Sequence, residues 1–131
     1  MNKRWTHSKR SVFNIGYHFI WCPKYRKKLF VGNKETRLKE LFIEKANLIG
    51  VNIEVMEVMP DHVHLFIKSE PVDSPHWIVQ QLKGYTSKIM REEFSELKKL
   101  PSLWTRSYFC ESVGHISEKT VKSYIETQKG K

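Results

Sequence analysis

The sequence is poor in the features that build several common protein classes. Its two cysteines, Cys22 and Cys110, are too few for a disulfide scaffold and form no CxxC pair or zinc-finger spacing. Long hydrophobic runs are missing. The most apolar stretch, Val12 to Cys22, is broken by Asn14 and His18 and is far shorter than the ~20 apolar residues a membrane span needs. The basic N-terminus, MNKRWTHSKRSV, is not followed by a signal-peptide pattern. There is no Walker-type glycine loop, no internal repeat and no low-complexity tract. Acid is scarce: 14 Asp and Glu stand against 23 Lys and Arg, a formal charge of +9. The expectation is a soluble, cytoplasmic chain with no membrane partner. Its basic excess calls for a polyanion, of which nucleic acid is the commonest.

What is present suffices for one core. With 131 residues, 40% of them hydrophobic, the span 1–131 reads as a single domain. Residues 1–10 are polar, basic and aperiodic, and read as a mobile arm. Ser11 to Trp21 alternates, with Phe13, Ile15, Tyr17, Phe19 and Trp21 on one face, which predicts a strand that Pro23 ends. Over 34–49 the period changes to three and four through Leu38, Leu41, Phe42, Lys45 and Leu48-Ile49, which predicts a helix stopped by Gly50. Val51 to Met59 reads as a strand with Val51, Ile53 and Val55 on one side. Pro60-Asp61 turns into a third strand, His62 to Lys68. Ser74-Pro75 opens a helix that runs from Trp77 to Phe94. Trp104 to Val113 reads as the fourth strand, and residues 117–129 as a C-terminal helix capped by Ser117. The order β-α-β-β-α-β plus a last helix predicts an α+β fold. It is a ferredoxin-like antiparallel four-stranded sheet with helices on one face and an added C-terminal helix.

Three features could carry chemistry. On the third strand, His62 and His64 are spaced i, i+2, so both imidazoles face away from Val63 and Leu65. Two convergent imidazoles make half of a divalent-metal site, although a strand histidine can equally be an amphipathic side chain with one hydrogen bond. On the last helix, Tyr124 and Gln128 are four apart and share a face. A tyrosine can be a covalent nucleophile, but its pKa near 10 demands a nearby base or cation, and a packing role is the simpler one. Third, cations and aromatics interleave: Lys24, Tyr25, Arg26, Lys27 and Lys28 after the first strand, and Lys83, Tyr85, Lys88 and Arg91 on the second helix. Cations meet phosphates and aromatic rings stack on unpaired bases, whereas any one such run could also be a solvated face.

Taken together, Trp21-Cys22-Pro23-Lys24-Tyr25-Arg26, Pro60-Asp61-His62-Val63-His64, Leu82-Lys83-Gly84-Tyr85-Thr86-Ser87, Ser107-Tyr108-Phe109, Ser112-Val113-Gly114-His115 and Tyr124-Ile125-Glu126-Thr127-Gln128 carry a resemblance. The chain resembles the small single-tyrosine (Y1) transposases of the IS200/IS605 insertion-sequence group, within the HUH endonuclease superfamily, from Tyr17-His18 to its end. The resemblance implies an enzyme that cleaves and rejoins single-stranded DNA at element ends, recognising small hairpins there. Carried over, Tyr124 is the nucleophile and keeps the 5′ phosphate as a phosphotyrosine. His62, His64 and Gln128 are the metal ligands, and the metal is Mg²⁺ or Mn²⁺. The resemblance also implies a homodimer in which the tyrosine helix can act in trans. Gly114, between the last strand and that helix, reads as a hinge. The DNA contacts expected from the basic residues are Arg10, Lys24, Arg26, Lys27, Lys28, Lys83, Tyr85 and Lys88. Thr127 departs from the Asn frequent in the family, at a position that is not an implied ligand. His18, opposite Phe19 and Trp21, reads as structural or as a hydrogen-bonding group near the site.

Two other readings compete: a non-catalytic single-stranded nucleic-acid-binding module on the same sheet, and a host-adopted relative that cleaves repetitive hairpins. All three need the positive charge to meet phosphates. Affinity for a single-stranded hairpin oligonucleotide should therefore fall steeply with added salt, as a fluorescence-anisotropy titration would read, and a flat response would exclude phosphate tracking by this surface.

Overall fold

The computed structural model describes residues 6–7, 12–13, 15–113, 123 and 125–127. Short strands β1 (Thr6–His7) and β2 (Val12–Phe13) pair antiparallel with each other. The main sheet contains β3 (Gly16–Trp21), β4 (Asn52–Met59), β5 (His62–Lys68) and β6 (Phe109–Val113) in the order β4-β5-β3-β6. All three pairings are antiparallel. Helix α1 (Asn33–Ile49) carries the chain from β3 past β5 to β4, and α2 (Pro75–Glu93) carries it from β5 past β3 to β6. This is the ferredoxin-like α+β arrangement the sequence predicts, with both helices packed on one face.

Pleating makes that layer. Phe19 and Trp21 of β3 and Val63, Leu65 and Ile67 of β5 point to the helices and are almost wholly buried. They meet Leu38, Leu41, Phe42 and Ala46 of α1 and Ile78, Val79, Leu82 and Met90 of α2. The helix ends follow the sequence signals. Gly50 adopts φ 79° and its N–H donates to the Ala46 carbonyl. Ser74 Oγ accepts from Trp77 N at 3.1 Å, with Pro75 in the first turn. Arg37 joins the two helices through a two-pronged contact with Glu93, Nε to Oε1 at 2.7 Å and Nη2 to Oε2 at 2.9 Å.

Several local expectations are corrected. Part of the N-terminal arm, Thr6–His7, is a strand rather than aperiodic coil, and the long first strand is divided into β2 and β3. At the start of β3 the Ile15 carbonyl accepts Ser69 N at 3.2 Å, one register step beyond the Gly16–Lys68 pair. Val55 does not share a side with Val51 and Ile53: a bulge between Ile53 and Val55 turns it to the other face, against Phe66. Leu48 is exposed, and Ala46 takes the core position on α1. The last strand begins at Phe109, not Trp104. Trp104 makes one isolated bridge to Pro23, while its ring packs on Phe30 and Trp21 and its Nε1 donates to Thr86 Oγ1 at 3.0 Å. Among the described residues, no helix is long and apolar enough to cross a membrane.

Gly16 opens β3 because a side chain would not fit. A Cβ there would lie 2.7 Å from Phe66 Cε1 and 3.0 Å from Cζ, and the Phe66 ring is fully buried. Gly16→Ala should destabilise the fold by about 1–3 kcal/mol in urea denaturation, and a second change, Phe66→Leu, should recover part of the loss. An unchanged midpoint in Gly16→Ala would show that the ring gives way freely.

Candidate functional site

The face of the sheet opposite the helices is unlike the core face. The alternation that buries Val63, Leu65 and Ile67 turns His62, His64, Phe66 and Lys68 outward on β5. Cross-strand register brings others to the same face: His18 and Ile20 on β3, Phe109, Glu111 and Val113 on β6, and Glu57 opposite His64 on β4. This face is not an open surface. His18 and His64 are each only 5% exposed, and Phe66, Val113 and Ile125 form a second small core on it with Val55 packed alongside. Ser123 and residues 125–127 are helical, and Thr127 Oγ1 donates to the Ser123 carbonyl at 2.8 Å. Ile125 thus seats that helical segment on the histidine side of the sheet.

The two histidines expected as ligands lie together. Their ring centroids are 4.9 Å apart, at 74° to each other. Each ring engages a neighbour through Nδ1. His62 Nδ1 lies 2.7 Å from Asp61 Oδ1, and Asp61 Oδ2 lies 3.5 Å from Arg26 Nη2. His64 Nδ1 lies 3.4 Å from His18 Nε2. An ion held by these rings would use Nε2 of His62, whose Nδ1 faces a carboxylate, and Nε2 of His64 where that ring carries its proton toward His18. Among the described residues, no three His, Cys, Asp or Glu side chains gather as a metal centre. Tyr124, Gln128, Arg10 and Gly114 lie outside the described residues.

Electrostatics keep the inner histidine neutral. Burial pushes His64 down to about 4, and the neighbouring His62 and His18 push in the same direction. Burial also lowers His18, against the opposing pull of Glu111. The hydrogen bond from His62 holds the Asp61 carboxyl below its ordinary value. A neutral imidazole keeps the lone pair that a metal ion requires.

The expected DNA-contacting residues are divided among several places. Arg26 stands beside Asp61, at the edge of the histidine pair. It and Tyr25 have positive φ, 48° and 60°, in the short 3-10 turn Lys24–Arg26, a costly backbone for bulky residues. Lys24 lines a cleft of about 450 Å³ with Lys83, Ser87, Ser102 and Arg106. Within it the Lys83 ammonium is committed, donating to the Thr105 and Ser107 carbonyls at 2.8 and 2.9 Å, and burial pushes its pKa down to about 8. Lys27 and Lys28 line a smaller cleft of about 260 Å³ with Lys34 and Lys99. Tyr85 donates its hydroxyl to Glu44 and carries Lys45 over its ring, and Lys88 is exposed on α2. The structure thus brings Arg26 to the histidines and leaves the Lys83, Tyr85 and Lys88 helix on the other side of the sheet.

Comparison with known proteins now decides the family. Residues 11–128 match the family model described as "Transposase IS200 like". The chain belongs to the IS200-like transposase family. It is 35% identical over 123 residues to the ISDra2 transposase TnpA of Deinococcus radiodurans, covering 92% of this chain and 88% of that one. It is 29% identical over 119 residues to the transposase for insertion sequence element IS200 of Salmonella typhimurium, covering 88% and 78% of the two chains. Among solved structures, a transposase from Deinococcus radiodurans R1 superposes with a TM-score of 0.78 at 31% identity, covering 94% of this chain and 97% of that one. A REP-associated tyrosine transposase bound to a REP hairpin shares the fold, with a TM-score of 0.66 at 14% identity over 92% of this chain and 70% of its own. For this IS200-like chain, sequence reading identified the histidine pair but missed Asp61 and Glu111 as their neighbours. The signal for Asp61 was its place beside His62. Glu111 had none, because only the sheet joins it to His18 across 93 positions (111 − 18).

The buried imidazole has a thermodynamic consequence. Its folded pKa of about 4 lies below the ordinary value of 6.5, so between these pH values the unfolded chain binds more protons. The stability that the neutral His64 contributes is therefore complete above about pH 6.5 and declines as pH falls toward 4, and the lowered His18 adds in the same direction. Without divalent ions, the urea midpoint should be lower at pH 5 than at pH 7, and His64→Gln should shrink the difference. Equal midpoints for the unaltered protein would show that His64 takes up its proton without cost.

Proposed function

We propose that this IS200-like transposase cleaves and rejoins single-stranded DNA through Tyr124, at a site where His62, His64 and Gln128 hold a divalent cation. The observation that carries this reading is the pair of imidazoles on the outer face of β5, each anchored through Nδ1, on the face where Ile125 is seated. Tyr124 is the residue before Ile125 in the chain. The donors suit the ion: two imidazole nitrogens come from the histidines, while the Gln128 amide and the substrate phosphate would supply the oxygens that Mg²⁺ or Mn²⁺ prefers. When bound, the cation offsets negative charge on the phosphoryl oxygens.

The rest follows from the chain's own groups. The Tyr124 hydroxyl loses its proton and its oxygen forms a bond to phosphorus. The bond from phosphorus to the 3′ oxygen breaks, and that oxygen leaves as a 3′-hydroxyl. The phosphotyrosine keeps the energy of the phosphodiester, so a 3′-hydroxyl can reverse the step and join a new end without ATP. A rigid strand carries the imidazoles, whereas the proposed nucleophile comes from outside that strand, which suits a step in which the strand to be rejoined must change. Arg26 and the two basic clefts would track the phosphates, with hairpins at element ends as the substrate. The REP-associated relative of the same fold is described with a hairpin bound, which supports this choice of substrate. A homodimer belongs to the same proposal.

A labelled hairpin oligonucleotide from the DNA flanking the gene, incubated with Mg²⁺ or Mn²⁺ and then denatured, should yield a covalent protein–DNA band. Tyr124→Phe should abolish the band and retain hairpin binding. His64→Ala should abolish it with affinity largely kept. Mixing the two inactive variants restores the band only if one chain's tyrosine serves its partner's histidines. A band that persists in Tyr124→Phe would remove Tyr124 as the nucleophile, and binding with no band at all would favour the non-catalytic module.

A further inference from the structure

Beyond the expected ligands, three strands bring Glu111, His18 and His64 into a row on the outer face. His18 on β3 is paired in register with Glu111 on β6, and it lies diagonally across from His64 on β5, whose own register partner is Ile20. The His18 and His64 rings are nearly parallel, with centroids 5.6 Å apart. His18 Nε2 is 3.4 Å from His64 Nδ1, and His18 Nδ1 is 3.6 Å from Glu111 Oε1. Both histidines are buried, whereas the Glu111 side chain is about half exposed, at 49%.

We propose that Glu111, acting through His18, sets the tautomer of His64 and so aims its Nε2 lone pair at the divalent cation. The proposal rests on the metal-site reading above. Its logic is a count of protons. A contact between two ring nitrogens needs one proton between them, carried by either ring. The Glu111 carboxylate favours a proton on the near nitrogen of His18, Nδ1. A neutral His18 with its proton on Nδ1 has one ring proton only, and its Nε2 is then an acceptor. The shared proton must sit on His64 Nδ1. His64, also neutral, is left with an unprotonated Nε2. Asp61 does not compete for this chain, because its two oxygens face His62 and Arg26. Asp61 would do for His62 directly what Glu111 does for His64 through one imidazole. Glu111 and His18 are positioning residues in this scheme and touch no reacting atom. The rival arrangement has the His64 proton on Nε2, held from across the β4–β5 ladder where Glu57 is the register partner.

The test separates the relay from the metal site. Nitrogen-15 NMR of the metal-free, full-length protein reads the tautomer of each histidine, and a calorimetric titration with Mn²⁺ reads affinity. His64 should carry its proton on Nδ1. Glu111→Ala, at a half-exposed position, should fold normally, shift His64 toward the Nε2–H form and weaken Mn²⁺ binding about 10–100-fold, the usual loss for an outer partner of a ligand. Glu111→Gln keeps an acceptor oxygen and should retain the Nδ1–H form with a smaller loss. His18→Phe should match Glu111→Ala, and if that buried change unfolds the chain the two Glu111 variants still decide. An Nε2–H tautomer in the unaltered protein overturns the proposal. So does Mn²⁺ binding that depends on His62 and His64 yet is unchanged in Glu111→Ala. If the unaltered protein binds no Mn²⁺ while His64 is Nδ1–H, the failure lies in the metal reading, and the positioning role falls with it.

Discussion

The alternation of one strand governs this structure. In β5 every second side chain, Val63, Leu65 and Ile67, is buried in the layer between sheet and helices. Those positions cannot move without emptying the core, and a slip of one residue would exchange the two faces. The residues between them, His62, His64 and Phe66, are therefore held on the outer face by the same packing. A pair of imidazoles presented in this way needs no loop to place it. The buried layer between sheet and helices is the scaffold of the candidate site, and the burial of a few aliphatic side chains becomes a geometric constraint on chemistry.

That constraint alone would leave two rings free to rotate or to choose either tautomer. The surrounding groups narrow the choice. Asp61 takes Nδ1 of His62 from the preceding turn, and His18 takes Nδ1 of His64 from the neighbouring strand. Burial keeps His64 neutral, and Arg26 reaches Asp61 from a turn with two positive-φ residues. Such a backbone persists only where its surroundings hold it, and here the Pro23–Trp104 bridge and the Lys24 contact to the Leu103 carbonyl at 2.8 Å flank it. The Trp21-Cys22-Pro23-Lys24-Tyr25-Arg26 segment is thus more than a basic loop. It connects the aromatic core around Trp104 to the carboxylate that orients His62.

Much of the fold was legible because its signals were local and repeated. The helix over 33–49 has its period and its Gly50 stop, α2 has the Ser74-Pro75 start, and β5 has strict alternation after Pro60-Asp61. Expectations failed where a single backbone event broke a pattern. The bulge at Ile53/Val55 reverses a side chain that alternation assigns to the core. The Trp104 segment reads as strand by its composition, yet it makes one isolated bridge while the indole is buried in the core. Charged residues were the least legible. Lys83 has the composition of a phosphate contact, but burial commits its ammonium to two backbone carbonyls.

The sequence by itself determined the order of elements, the facing of His62 and His64 away from Val63 and Leu65, and the basic excess. Each depends on periodicity or composition, properties that neighbours along the chain carry. Only the tertiary structure decided that His18, His64 and Phe66 are buried on this face, that Ile125 is seated on it, and that Asp61, His18 and Glu111 lie around the pair. The physical reason is that strand pairing joins positions far apart in the chain, such as His18 with Glu111 and Phe66. A hydrogen bond or a shared proton depends on distances that no spacing in the sequence encodes.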